Sequence, residues 1–224
     1  MFITLKENPE VAERLNKDIA VLVFTYWKQN GVIEHALEKI REVNLYTVVS
    51  YNHVEGRPIN PKVYDISDMV VTTHKTIQNV NFPWIWHMKN SVALVKEMNF
   101  KYIFFMCGDS GFGRPDRIND LPERLGDYDI ISYWYNDKGA IGTHSWFVKM
   151  PALIKIYDAM IDGWNKFGNP TGSVGIKLGR LTKRLGITVN EYEGMTRKMW
   201  QFGKASPKSW YREFLDLNHL GHKA

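Results

Sequence analysis

"KYIFFMCGDSGF", residues 101–112, decides how the rest of the chain is read. The apolar residues Tyr102 to Met106 run straight into Cys107-Gly108-Asp109-Ser110-Gly111. The plain reading is a buried strand followed by an ordinary turn, because Gly, Asp and Ser are turn formers. The sharper reading is a metal or phosphate site. Open α/β sheets place ligands at the carboxyl ends of central strands, and there a lone aspartate among small residues has a use.

The chain around that stretch alternates short apolar runs with helical periodicity. "DIAVLVFTYW" (18–27), "LYTVVSY" (45–51) and "DMVVTT" (68–73) read as strands, the first two buried on both faces. Between the first two, Val32, Ile33, Ala36, Leu37, Ile40 and Val43 recur at helical spacing. Before residue 101, Ile85, Met88, Val92, Val95 and Met98 do the same. That alternation predicts βαβ units and a mainly parallel sheet. Further on, "YDIISYWY" (128–135) and "THSWFVKM" (143–150) lie close together, which predicts hairpin or mixed pairing. Leu153, Ile154, Ile156, Tyr157, Met160, Ile161 and Trp164 predict a helix after Pro151. Val174, Leu178, Leu181 and Leu185 predict another, followed by a strand at "GITV" (186–189). "NPEVAERLNK" (8–17) predicts a short lead-in helix, with Asn8 capping and Pro9 in the first turn. "RPDRINDLPERL" (114–125) has the look of a capped surface helix.

Composition bounds the class. At 224 residues the chain suits one domain with a C-terminal extension. A hydrophobic content of 44% against 24% charged residues is the profile of a folded globular chain and excludes a disordered one. No apolar run approaches the roughly 20 residues that span a bilayer, and "MFITLKENPEVAERLNK" has no signal-peptide core. One cysteine excludes an internal disulfide framework. The expected location is therefore cytoplasmic, and host cytoplasm if the chain is phage-encoded. Charge is uneven. Residues 177–224 hold ten Lys/Arg against four Asp/Glu, a net of +6 in a chain of +5 overall. Beyond Glu191 the tail mixes those cations with Trp200, Phe202, Trp210, Tyr211 and Phe214. A basic, aromatic-laced tail suits a polyanion or an anionic surface, and equally a solvated face.

The order strand, helix, strand, then Lys89-Asn90 on a helix and Cys107-Gly108-Asp109 at a strand end, resembles the nucleotide-binding half of a GT-A glycosyltransferase. In that family a basic residue and an Asn open the helix before the fourth strand. A D-x-D motif at the strand's end holds a divalent metal on the sugar-nucleotide diphosphate. The match runs over residues 18–150 and continues more faintly to residue 190. It implies a GT-A-like, Rossmann-type mixed sheet, mainly parallel and flanked by helices. Residues 1–190 would form that domain, with 18–110 as the nucleotide-sugar half and 111–190 as the acceptor half. Residues 191–224 would be a basic, aromatic-rich extension.

Two departures qualify the match. Cys107 stands at the first aspartate position, and a hard Mg²⁺ or Mn²⁺ prefers oxygen ligands, so Asp109 alone is the expected protein ligand to the metal. No carboxylate opens the helix at Val174, where many inverting members keep a general base. Asp137, His144, Glu191 and Glu193 are the candidate bases, whereas a retaining mechanism needs none of them. The resemblance implies catalytic roles for Asp109, His144 and Asp137. It implies donor contacts from Thr25, Tyr26, Asn52, Lys75, Lys89, Asn90 and Ser110, with Tyr26 stacking on a base. Arg114 and Arg117 are further candidates for the diphosphate, and His219 or His222 for the metal. The implied activity is metal-dependent transfer of a sugar from a nucleoside-diphosphate sugar, UDP-sugar favoured, to a hydroxyl acceptor. A hydroxymethylated pyrimidine in phage DNA is one such acceptor, reached through the basic C-terminal region. The alternatives are a bacterial surface-glycan transferase and a catalytically degenerate nucleotide-binding module.

Overall fold

The computed structural model describes residues 3–7, 16–26, 30–53, 56, 58–73, 81–108, 110–112, 115–132, 135, 139–143, 145–163, 173–191 and 217–219. The elements in chain order are β1 (Ile3–Glu7), β2 (Asn16–Tyr26), α1 (Asn30–Glu42), β3 (Leu45–Asn52), α2 (Pro61–Ile66), β4 (Met69–Thr73), α3 (Asn81–Val95), β5 (Tyr102–Cys107) and β6 (Ser110–Phe112). A 3-10 helix (Pro115–Asp120) leads into α4 (Leu121–Leu125), β7 (Ile130–Ser132), β8 (Ser145–Lys149), α5 (Met150–Asp162), α6 (Val174–Arg184), β9 (Val189–Glu191) and β10 (Leu217–His219).

Eight strands form one sheet in the order β1-β4-β3-β2-β5-β8-β7-β9, and β10 pairs with β6 in a separate ribbon. β2, β3, β4 and β5 run parallel, β8 is antiparallel to both of its neighbours, and β7 and β9 are parallel. This is the expected mixed α/β architecture. The apolar run of β2 explains its central place. Ile19 to Val23 are essentially inaccessible to water, so both faces of the strand are covered, as a parallel sheet requires.

Each face has its own core. Ile33, Ala36, Leu37 and Ile40 of α1, with Val63 of α2 and Leu121 and Leu125 of α4, cover Val21, Val23, Val49 and Val70. Ile85, Met88, Val92 and Val95 of α3, with Leu153, Ile156 and Met160 of α5 and Leu178 and Leu181 of α6, cover Leu22, Val48 and Phe105 on the other side. Helical spacing located the core residues of α1, α3, α5 and α6, whereas Val63, Leu121 and Leu125 come from elements that it did not place in the core; Ile161 at the end of α5 is exposed, and Trp164 lies outside the described residues. Asn44 and Asn99 adopt left-handed backbone after α1 and α3, the conformation that ends helices.

Three expectations are corrected. Asn16 and Lys17 begin β2 and are not helical; the rest of that predicted helix lies outside the described residues. An edge strand, β1, runs antiparallel to β4, where the sequence reading had no element. Residues 115–125 form a 3-10 helix and a short α-helix without a side-chain cap, and Ile118, Leu121 and Leu125 are buried. The surface face is only one side of it. Among the described residues, no helix is long and apolar enough to cross a membrane.

Two contacts fix the part of the fold beyond β5. Phe105 and Trp146 face each other across β5 and β8 and stack with ring centroids 4.3 Å apart, a contact worth about 1 kcal/mol beyond its burial. On α6, Gly175 and Gly179 lie against backbone: an added Cβ would land on the carbonyl oxygens of Ile141 and Gly139 respectively. Two buried titratable groups sit in the sheet. Asp68 accepts from the Thr47 amide at 2.7 Å, its other oxygen has no partner among the described residues, and burial pushes its carboxyl up to about 6. His87 of α3 meets Ser50 Oγ through Nδ1 at 2.7 Å and stacks on Phe24 at 4.9 Å; burial pushes it down to about 3.

Gly179→Ala should destabilise the chain by roughly 1–3 kcal/mol or more, because rigid backbone has to move; urea denaturation gives the value. The buried pair makes a pH prediction. Asp68 holds a proton in the folded state that the unfolded chain has released, so its contribution is largest below about pH 4 and declines up to about pH 6. His87 refuses a proton that the unfolded chain accepts, so its contribution is full above about pH 6.5 and is lost toward about pH 3. The two oppose each other between about pH 4 and 6. Asp68→Asn should therefore add a loss of stability on acidification, up to about 1.4 kcal/mol per pH unit. Equal slopes in the two proteins, measured by denaturation from pH 4 to 7, would contradict this assignment.

Candidate functional site

The chain leaves β2 toward β3 and β4 on one side, then returns to β5 on the other. A cleft outside the carboxyl ends of β2 and β5 follows from that reversal. Gly108 N–H donates to the Phe24 carbonyl at 2.8 Å, which ties the turn after β5 to the end of β2.

Four of the predicted donor contacts meet there. Thr25 and Tyr26 are the last two residues of β2, and Tyr26 pairs in register with Asn52, the last residue of β3. Ser110, buried, opens β6 two residues beyond Gly108. The polar atoms at this edge share an unusual state. Thr25 Oγ1, Asn52 Oδ1 and Thr72 Oγ1 are buried and have no hydrogen-bond partner among the described residues. Thr25, Tyr51 and Thr72 stand in one row across β2, β3 and β4. Asn52 faces the opposite side, two residues beyond Ser50, which His87 holds. Buried orphan polar groups each cost about 1–3 kcal/mol, so three at one sheet edge mark a place where a polar ligand has partners to find.

Lys89 and Asn90 need a correction. They lie in the third turn of α3, which begins at Asn81. They do not open that helix, so its dipole gives Lys89 no pull on a phosphate. Lys89 Nζ lies over the Trp86 ring, 5.5 Å from its centroid, and Asn90 is buried. Arg117 pairs with Asp120 at 3.4 Å and Asp116 at 4.0 Å, which leaves it a structural part. Glu191 is exposed at the end of β9, three strands from β5. At about 4.8 Å per strand that is roughly 14 Å away, too far for a base acting beside β5. Asp109, His144, Asp137, Lys75, Arg114, Glu193 and His222 lie outside the described residues.

The C-terminal segment returns to this edge. β10 runs antiparallel to β6, and His219 stands opposite Ser110, the residue after Asp109. No apolar period announces a three-residue strand so far along the chain. Thr72 and His87 were also missed. Thr72 ends an apolar strand beside the two chosen ones, and His87 shares the buried stripe of α3 with Trp84, Met88 and Ser91. A helical wheel could have picked it out.

No protein-family model matches the chain, and no curated protein matches it. Solved structures do. One described as a nucleotide-diphospho-sugar transferase from Desulfovibrio desulfuricans superposes with a TM-score of 0.52 at 9% identity, over 80% of each chain. Mouse xyloside xylosyltransferase 1 superposes with a TM-score of 0.50 at 8% identity, over 90% of this chain and 96% of that one. A cytidylyltransferase from Leptospira borgpetersenii gives a TM-score of 0.45 at 14% identity, over 89% of this chain and 81% of that one. The fold is shared with nucleotide-sugar transferases.

Thr25→Val and Thr72→Val keep shape and remove an orphan hydroxyl. Each should raise the melting temperature of the ligand-free protein, by the equivalent of about 1 kcal/mol. A fall on both substitutions would mean that the hydroxyls are already satisfied.

Proposed function

We propose that this chain is a metal-dependent glycosyltransferase that takes a nucleoside-diphosphate sugar as donor, a UDP-sugar in preference, and a hydroxyl group as acceptor. The observation that carries the reading is the three unpartnered buried polar atoms at the carboxyl ends of β2, β3 and β4, beside the switch point of a sheet that matches transferases in fold. Thr25, Asn52 and Thr72 offer hydroxyl and amide groups to a base or ribose, and Tyr26 offers an aromatic face. Ser110 offers a hydroxyl near the diphosphate.

The residues around the β5–β6 turn fit a divalent cation in type. Asp109 supplies a carboxylate, and the β6–β10 pairing brings the backbone of His219 opposite the neighbouring Ser110. Oxygen and imidazole donors suit Mn²⁺, and oxygen donors suit Mg²⁺. Cys107, half-buried, is a soft thiol and not a partner for either. A bound cation would neutralise charge that develops on the departing diphosphate. Asp109 would hold it, Ser110 would orient phosphate oxygens, and the Thr25–Thr72 row would fix the nucleoside so that the anomeric carbon faces the acceptor half. His144 and Asp137, in the segments that flank β8, are the candidates to take the acceptor proton. Glu191 stands farther off, at the end of β9, and Glu193 is a further candidate. We take the acceptor to be a hydroxymethylated pyrimidine in DNA, with a bacterial surface glycan as its rival.

Asp109→Asn should abolish Mn²⁺-dependent hydrolysis of a UDP-sugar, at least about 100-fold, and leave the circular dichroism spectrum unchanged. Full activity in the folded variant would refute the metal role. No donor turnover by the wild-type chain with any sugar nucleotide, with or without Mn²⁺, would favour the degenerate binding module.

A further inference from the structure

Among the described residues, a concave feature lies away from the sheet edge, between the last turn of α5 and the outer face of α6. It is a groove of about 580 Å³, bounded by Ala159, Asp162 and Gly163 on one side and by Lys177, Arg180 and Arg184 on the other. α6 carries four cations, Lys177, Arg180, Lys183 and Arg184, and no acidic residue. Three of them follow one another at spacings of three and four residues, which places them on a single helix face.

Their direction is set by the opposite face. Val174, Leu178 and Leu181 are in the core, and Gly175 and Gly179 touch the backbone of residues 139–141. The helix cannot rotate about its axis without driving backbone into backbone, so the cationic stripe points into the groove permanently. Arg180 and Arg184 make no ion pair among the described residues, and neither does Asp162 across the groove. Two unpaired guanidinium groups beside a carboxylate that they leave alone are poorly explained by folding. They are well explained by an anion from outside, because a guanidinium binds phosphate with two parallel hydrogen bonds.

We infer that this groove binds the phosphate backbone of a nucleic-acid strand. From Lys177 to Arg184 the stripe is about 10 Å long at 1.5 Å per residue, long enough to run beside neighbouring phosphates of one strand. A groove admits the ridge of a strand and excludes a flat bilayer. A membrane-binding face also needs apolar side chains beside its cations, and the exposed large apolar side chains among the described residues are only Tyr128 and Ile161. The inference rests on the transferase reading in one respect: if that reading holds, the strand in the groove belongs to the acceptor.

The test is fluorescence anisotropy with a labelled DNA duplex of about 20 base pairs, titrated with the full chain at several salt concentrations. The wild-type chain should bind at low salt, with an affinity that falls steeply as salt rises. Arg180→Ala/Arg184→Ala should weaken binding about tenfold at 50 mM salt and flatten the log–log salt slope by about 1.8, since each lost phosphate contact removes about 0.9. Adding Lys177→Ala should bring that to about 2.7. Both substituted arginines are exposed, and Arg180→Lys/Arg184→Lys should restore the slope while checking that the fold is intact. An unchanged slope in the double variant overturns the assignment. So does binding lost on Lys204→Ala/Lys208→Ala/Arg212→Ala but kept in the groove variant, and so does binding to phosphatidylserine vesicles in the absence of duplex binding. Calorimetry of UDP and a UDP-sugar on the same proteins reports the donor site separately. A wild-type chain that binds donor but no duplex overturns the groove assignment alone, and one that binds duplex but no donor overturns the transferase reading alone.

Discussion

β2 has hydrogen-bonded neighbours on both edges and packed helices on both faces, and the rest of the architecture is arranged around satisfying it. A parallel strand needs a long crossover to each parallel neighbour. α1 supplies one on the way to β3. The second neighbour, β5, is reached only after β4 and α3. That detour produces the reversal of strand order, and the reversal opens the cleft. Fully buried Val21, Leu22 and Val23 therefore do more than fill a core. They oblige the chain to leave the sheet by two diverging connections, the arrangement that borders the ligand crevice in open α/β sheets.

The edge of that cleft is held at a cost. Hydroxyl and amide oxygens at Thr25, Asn52 and Thr72 lie out of water without partners among the described residues, against the usual rule that buried polar groups are bonded. Stability spent in this way is typical of a site organised before its ligand arrives. Immediately below, His87 is treated differently. It is fully engaged by Ser50 and Phe24, and its burial keeps it neutral. It fixes the strand beneath the cleft and brings no charge to it.

The part of the fold beyond β5 depends on contacts of another kind. β8 is antiparallel to β5, and the Phe105–Trp146 stack joins them. α6 is seated by two glycines against backbone. Phe105 also meets Phe24 near the end of β2, and together the two features determine which surface of α6 faces outward and which strand borders the cleft. The third contribution is the return of the C-terminus, where β10 adds to β6 beside the turn that carries Asp109.

Much of this was legible in the sequence because it follows from periodicity. Continuous apolar runs gave β2, β3 and β5, and three-to-four spacing gave α1, α3, α5 and α6, since burial on one helix face or on both strand faces leaves a local pattern. The stretch at residues 101–112 announced the end of a buried strand at Cys107. What the sequence could not determine was anything set by partners distant along the chain. β1 and β10 are short edge strands whose registered partners lie 62–70 and 105–109 residues away along the chain. Lys89 looked like a helix opener, and only the start of α3 at Asn81 moved it to mid-helix. Gly175 and Gly179 read as weak points in a helix, and only the approach of residues 139–141 made them necessary. Composition located the positive charge in the last quarter of the chain. Tertiary packing alone turned part of it into the wall of a groove, because a helix shows one face outward only after its neighbours have claimed the other.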